Sequence, residues 1–359
     1  MTGAYEIIVK NKRLTTRLEI DRNISVIRGD SATGKTTLIQ MIRDYYLNGN
    51  SSGVEIICAK KCVVILNERN WQEELSQIDD SIVFFDEDSK YIITKEFASA
   101  IKHTNNYYVL ITRDDLAQLP YSVNAIYGLR VQQKYSETHK VYNETYPIYP
   151  VEFRKKDGVL KPELVITEDS NSGYDFFNGI SKGKYSVISA NSKSGFINLL
   201  EENGYFRNYA TVLLIADGAA FGSMMNSLMM LIGKRQNIFL YIPESFEYLI
   251  LKSGIFDSVL INHIIPFESA DRYSVYADTI LKEKISTILE NTSDYADSSL
   301  FFSWERFYTF LLCKASLKTE KIFKSKKFVY TETKSRLPEV YLTVPIADSI
   351  LKAIEFIDF

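Results

Sequence analysis

Ile24-Ser25-Val26-Ile27-Arg28-Gly29-Asp30-Ser31-Ala32-Thr33-Gly34-Lys35-Thr36-Thr37-Leu38 reads as strand, glycine-bounded loop and helix. Gly29, four residues, then Gly34, Lys35 and Thr36 give the spacing of a phosphate-cradling loop. Two glycines let the backbone turn tightly and approach an anion with no Cβ in the way. The amides of Asp30, Ser31, Ala32, Thr33 and the helix start at Lys35, Thr36 and Thr37 then face that anion. Lys35 is placed to reach β- and γ-phosphates, and the Thr36 hydroxyl to ligate Mg²⁺. The apolar run before Gly29 suits a strand, and Leu38, Ile39, Met41 and Ile42 follow at helical spacing.

The rest of the chain fits this nucleus. A hairpin is expected before it, from Tyr5–Val9 and Arg17–Ile20 around the basic turn Lys10-Asn11-Lys12-Arg13. The helix after Lys35 should run to about Leu47 and stop at Asn48-Gly49-Asn50. Val54–Cys58 and Cys62–Leu66 read as short neighbouring strands, and Trp71–Ile78 as a short helix. Ser81-Ile82-Val83-Phe84-Phe85-Asp86-Glu87 is an apolar run ending in acids. Such a run suits a parallel strand buried on both faces, whose C-terminal end is where open α/β sheets bind ligands. There Asp86 would hold Mg²⁺ and Glu87 would polarise a water. The alternative is a strand that merely ends in solvent.

Thr94–Lys102 reads as a helix and Tyr107–Ile111 as the next buried strand, ending in Thr112 and Arg113. Arg113 either reads phosphate charge or pairs with Asp114 or Asp115. Short helical pieces are expected at Asp115–Leu119 and Ser122–Ile126, and a strand at Tyr127–Val131. Residues 132–181 read as an irregular link, with a hairpin at Val151–Ile166. From Lys182 the pattern becomes βα alternation: strands at Tyr185–Ser189, Thr211–Ala216 and Asn237–Tyr241, helices at Gly195–Glu202, Phe221–Ile232 and Glu244–Leu251. This implies a parallel sheet. Asp217, Glu244 and Glu247 either gather at its edge as a second metal site or cap helices. Two longer amphipathic helices, Arg272–Glu290 and Ser303–Leu317, and a terminal segment at Ile346–Phe359 complete the chain. The fold class is therefore α/β in three regions: 1–131, the link 132–181, and 182–359 with a helical extension.

Bulk properties bound the function. The 359 residues are 46% apolar and carry a formal net charge of −3, which excludes global disorder and a chain-wide polyanion surface. The basic, aromatic stretch Lys321–Phe328 leaves nucleic acid open as a partner, against a plain solvated face. Cys58, Cys62 and Cys313 form no disulfide framework or zinc pattern. The polar N-terminus shows no signal peptide, and no apolar run is long enough to span a membrane. The expected location is the cytoplasm, with no membrane partner.

The motifs at Gly29–Thr36 and Ser81–Glu87 resemble those of a compact ABC-like or AAA-like P-loop ATPase core over residues 5–130, with a Walker A loop and a Walker B strand. The resemblance implies ATP and Mg²⁺, with Lys35, Glu87 and Arg113 in catalytic positions. It also implies a homo-oligomer or a partner protein that supplies a further arginine. No LSGGQ-like sequence lies between Lys35 and Asp86, and Arg113 stands where the ABC switch histidine would fall. No NKxD-like guanine motif follows the acids. Residues 182–251 resemble a Toprim-type domain, with Asp217 at the first acid of its DxD motif and Ala219 at the second. The glutamate expected after the first strand is replaced by Ala190 and Asn191. The combination resembles the OLD family of ATPase–nucleases of phage defence.

Overall fold

A computed structural model describes residues 4–29, 34–102, 104–132, 141–149, 160–170, 172–181, 183–202, 206, 208–233, 235–243, 249, 351, 354 and 357–359. The chain divides into two units, Met1–Pro150 and Val151–Phe359.

The first unit begins with the hairpin of β1 (Tyr5–Lys10) and β2 (Leu14–Ile20), in register from Tyr5 opposite Ile20 to Lys10 opposite Thr15. Then come β3 (Ile24–Arg28), α1 (Lys35–Asn48), β4 (Glu55–Ile57) and β5 (Lys61–Val64). They are followed by α2 (Trp71–Ser76), β6 (Ser81–Phe85), α3 (Lys95–Ile101), β7 (Tyr107–Ile111), β8 (Ile126–Gln132) and β9 (Val141–Pro147). All nine strands form one sheet in the order β4-β1-β2-β9-β8-β3-β7-β6-β5. Strands β8, β3, β7, β6 and β5 run parallel. β6 and β7 are buried at every position, as a sheet covered on both faces requires.

The sheet curls around α1. Its two edges are β4 and β5, yet only Cys58, Ala59 and Lys60 separate them. In a flat sheet those edges would lie about 38 Å apart at the usual strand spacing. The link spans at most about 14 Å, so the edges must approach one another. Lys60 closes the seam, lying 5.6 Å from the Tyr5 ring centroid and pairing with Asp80. Tyr5 in turn meets Tyr107 edge to face at 5.0 Å. Inside the curl, Leu38, Ile39, Met41 and Ile42 of α1 pack on alternate residues of the strands, among them Ile7, Leu18, Ile27, Val64, Phe84 and Val109.

Several expectations change here. Cys58 and Cys62 do not lie on neighbouring strands; they flank the link between opposite edges. Asp115–Leu119 forms turns rather than a helix, and Val123–Ala125 is a single 3-10 turn. Residues 141–147, read as irregular, are β9, inserted between β2 and β8.

The second unit is a four-stranded parallel sheet in the order β11-β10-β12-β13. Its elements are β10 (Leu164–Thr167), α4 (Ser172–Ser181), β11 (Ser186–Ser189), α5 (Lys193–Glu202), β12 (Val212–Ile215), α6 (Met225–Ile232) and β13 (Ile238–Tyr241). The βα alternation thus starts one unit earlier than residue 182, at Leu164. That strand is not an arm of a 151–166 hairpin, and its expected turn at Lys155–Gly158 lies outside the described residues. Val165, Phe176, Phe177, Leu213 and Phe239 form the core, joined by Ile354 and Ile357. Of the helix expected at 244–251 only Leu249 is described, buried in this core, and the helices expected at 272–290 and 303–317 and the stretch 321–328 lie outside the described residues. Among the described residues no helix is long and apolar enough to cross a membrane.

Candidate functional site

The glycine-bounded loop joins β3 to α1. Gly29 has φ +141° and Gly34 φ +90°, backbone conformations that a side chain resists. A Cβ on Gly34 would lie 2.7 Å from Asn143 Nδ2 of β9, so the strand that the sequence hid sits directly against the loop. Asn143 is 5% exposed, and its Oδ1 is buried without a hydrogen-bond partner.

Lys35 opens α1, is 6% exposed, and donates from Nζ to Gly29 O at 2.7 Å. This bond ties the start of the loop to its end. Asp30, Ser31, Ala32 and Thr33 lie outside the described residues. The N-terminus of α1 carries no side-chain cap and no acid in its first turn. Its first amides have no intrahelical acceptor, which is the usual anion site of a helix start. Thr36 and Thr37 are exposed there.

The sheet order brings the other candidates to the same edge. β7 lies between β3 and β6, so the residues after Arg28, Ile111 and Phe85 leave the same end of three successive parallel strands. With strands about 4.8 Å apart, β3 and β6 are about 10 Å apart. Asp86 is half-buried, and its Oδ1 accepts the Glu87 amide at 2.8 Å. Arg113 Nε donates to Glu87 Oε1 at 3.1 Å. Asp115, one of the partners expected for Arg113, pairs with Arg28, whose guanidinium contacts Asp115 Oδ1 at 2.9 Å, Asp114 O at 3.2 Å and Tyr121 Oη at 2.9 Å. Arg28 immediately precedes Gly29, so this network fastens the loop after β7 to the root of the glycine loop. Burial, offset in part by the Arg28 charge, pushes the Tyr121 hydroxyl well above its usual range, so it stays neutral and can donate to Asp115 O at 2.9 Å.

The second unit has its own acidic edge. Asp217 follows β12 and begins the 3-10 turn Gly218–Ala220, but its side chain makes no capping hydrogen bond. Glu244 and Glu247 lie outside the described residues. Two acids that the sequence reading missed stand beside Asp217: Glu168 and Asp169, directly after β10, the neighbour of β12. Glu168 Oε2 accepts the Asp217 amide at 3.0 Å. Burial raises the Glu168 carboxyl above the usual range, and Asp169 adds to the rise, while the Asp217 amide and Lys193 oppose it. Asp169 is occupied otherwise, accepting the Gly173 and Tyr174 amides at 3.0 and 3.2 Å at the start of α4. A signal existed: Leu164-Val165-Ile166-Thr167-Glu168-Asp169 repeats the pattern of an apolar strand running into two acids. Among the described residues no three His, Cys, Asp or Glu side chains gather in a metal-holding group.

No protein-family model matches the chain, and no curated protein matches it.

Proposed function

We propose that the first unit is a P-loop ATPase core that hydrolyses ATP with Mg²⁺, and that nucleotide state governs the second unit as an effector or recognition domain. The observation that carries this reading is the loop at α1. A cradle bounded by two glycines at positive φ meets an uncapped helix start, with Lys35 held across its mouth. The residues fit a polyphosphate: amides and one ammonium for the oxygens, and no acid in the first turn of α1 to repel them. Thr36 and Asp86 are the residues that would hold Mg²⁺, which when bound neutralises charge on the phosphates.

In this reading Lys35 leaves Gly29 O for the phosphate oxygens. Glu87 orients the attacking water. Arg113, now on Glu87, is drawn to the phosphate, which frees the carboxylate for that task. Hydrolysis measured at several protein concentrations, with and without DNA, beside Lys35→Ala, tests the assignment. Turnover that rises with concentration and vanishes in Lys35→Ala supports an oligomeric ATPase. ATP binding without turnover under any condition replaces it with a nucleotide-gated binding module.

A second reading is favoured by Glu168 beside Asp217. Glu168, after β10 and beside Asp217, would supply the acid that a Toprim-like domain needs and that Ala190 and Asn191, after β11, do not provide. Ala219 still lacks the second acid of the pair. This makes an ATP-regulated nuclease of the OLD type, in defence or on a mobile element, the alternative. Mg²⁺-dependent DNA cleavage lost in both Asp217→Ala and Glu168→Gln would support it.

A further inference from the structure

Cys58 and Cys62 flank the link that joins the two edges of the curled sheet. Cys62 lies within β5, is 6% exposed, and packs in the same core as Ile39 and Ile42 of α1. Cys58, just after β4, is half-buried at the rim of that core. The Lys60 amide donates to Cys58 Sγ at 3.4 Å and Cys62 Sγ donates to Lys60 O at 3.9 Å, so both sulfurs lie against the Lys60 backbone. An inert structural cysteine is buried among apolar groups. Cys58 instead has a rim position, a backbone donor, a nearby ammonium and a second thiol bonded to the backbone of the same residue, Lys60.

The charges follow from this arrangement. The neighbouring Cys62 thiol lowers Cys58 to about 6; burial opposes, and the Lys60 and Ala59 amides and the Lys60 charge assist. Cys62 moves the other way, held protonated by the neighbouring Cys58 sulfur and by burial. Cys58 is therefore the sulfur biased toward thiolate and Cys62 the one biased toward thiol.

We propose that Cys58 and Cys62 are a peroxide-reactive dithiol whose oxidation to an intrachain disulfide fastens the two edges of the sheet around α1. The Cys58 thiolate attacks one oxygen of a hydroperoxide. The O–O bond breaks, the leaving oxygen takes a proton, and Cys58 becomes a sulfenic acid. The Cys62 sulfur then attacks the Cys58 sulfur and gives up its proton. The S–O bond breaks and water leaves. The two sulfurs lose two electrons in all, and the peroxide gains them. This inference does not depend on the nucleotide reading.

The test uses the full-length protein treated with hydrogen peroxide at pH 7, then alkylated under denaturing conditions and digested with trypsin. Cleavage after Lys60 or Lys61 separates the two cysteines, so their peptides stay together only through the disulfide. The expected result is that linked pair, released by dithiothreitol and absent in Cys58→Ser. A second measurement follows iodoacetamide labelling of Cys58 in the folded, reduced protein against pH. At pH 7 a thiol with a pKa near 6 is about 30-fold richer in thiolate than an ordinary one, and its lower nucleophilicity returns roughly tenfold of that. Labelling about threefold faster than a free thiol, with its midpoint near pH 6, is expected. Two freely alkylated cysteines after peroxide, a link to Cys313 instead, or labelling that rises only above pH 8 would overturn the proposal.

Discussion

Arg113 Nε donates to Glu87 Oε1 at 3.1 Å, joining the ends of β7 and β6 beside the glycine loop. The pair is open to water, with side chains 61% and 36% exposed, so it is worth at most about 1 kcal/mol. In the proposed reading a polyphosphate at Lys35 would carry more charge than Glu87 and would compete for the same guanidinium, so its arrival would release the carboxylate.

Arg113→Ala is expected to lower ATP turnover by about tenfold or more, while the unfolding midpoint stays within about 3 °C of the parent. Glu87→Gln should lower turnover by at least about 100-fold and leave nucleotide binding intact. Steady-state hydrolysis beside a binding titration separates the two effects. Equal turnover in all three proteins would remove both residues from the reaction.

Gly34 is constrained twice, by φ +90° and by Asn143 Nδ2 only 2.7 Å from where a Cβ would stand. The left-handed conformation alone costs about 1–2 kcal/mol for alanine. Gly34→Ala should therefore destabilise the protein in urea and weaken nucleotide binding. Adding Asn143→Ala removes the steric part and should recover some, not all, of the loss. Full additivity of the two substitutions would show that the contact with β9 carries no energy.

Much of this site was legible in sequence because it is written locally. The strand and helix on either side of the glycine-bounded loop, and the strand before Asp86, each occupy one short stretch whose apolar pattern reveals them. β9 was not legible: among its seven residues only Asn143 is buried, so no apolar alternation marks the strand. Its identity comes from pairing with β2 and β8, distant in sequence. β10 was hidden for another reason. Three of its four buried residues, Leu164, Val165 and Ile166, were read as part of a hairpin, although a fully buried run suits a central parallel strand better. That one misplacement shifted the second unit and concealed Glu168. Arg113 was placed correctly at a strand end, but its partner Glu87 lies 26 residues away and only the sheet order brings them together.

Lys35 separates stability from binding. Lys35 is 6% exposed, and its ammonium donates to Gly29 O. Burying that charge costs hydration that its partners must replace. Lys35→Met keeps most of the side-chain volume and removes the charge. The expected outcome is a protein that stays folded, with ATP affinity reduced at least about 100-fold. A variant that unfolds early would mean that the bond to Gly29 O is structural, and a variant that binds ATP normally would remove Lys35 from the site.

Glu168 gives the second unit a pH dependence of definite sign. Burial raises its carboxyl above the ordinary value of 4.5, so the folded protein holds that proton more tightly than the unfolded chain. Below 4.5 both states are protonated and no penalty exists. As pH rises from there through the raised folded value, the folded state must ionise a buried acid, and stability falls. Glu168→Gln removes the titration and still offers an oxygen to the Asp217 amide. The variant should therefore be the more stable protein at pH 7, with the difference vanishing toward pH 4. Hydrogen exchange of the β10 and β12 amides, compared between variant and parent at each pH, measures this within the second unit. A difference that does not change with pH would show that the gain is packing and not ionisation. A Glu168 variant that is less stable at pH 7 would show that the ionised carboxylate is held by its neighbours more strongly than burial opposes it.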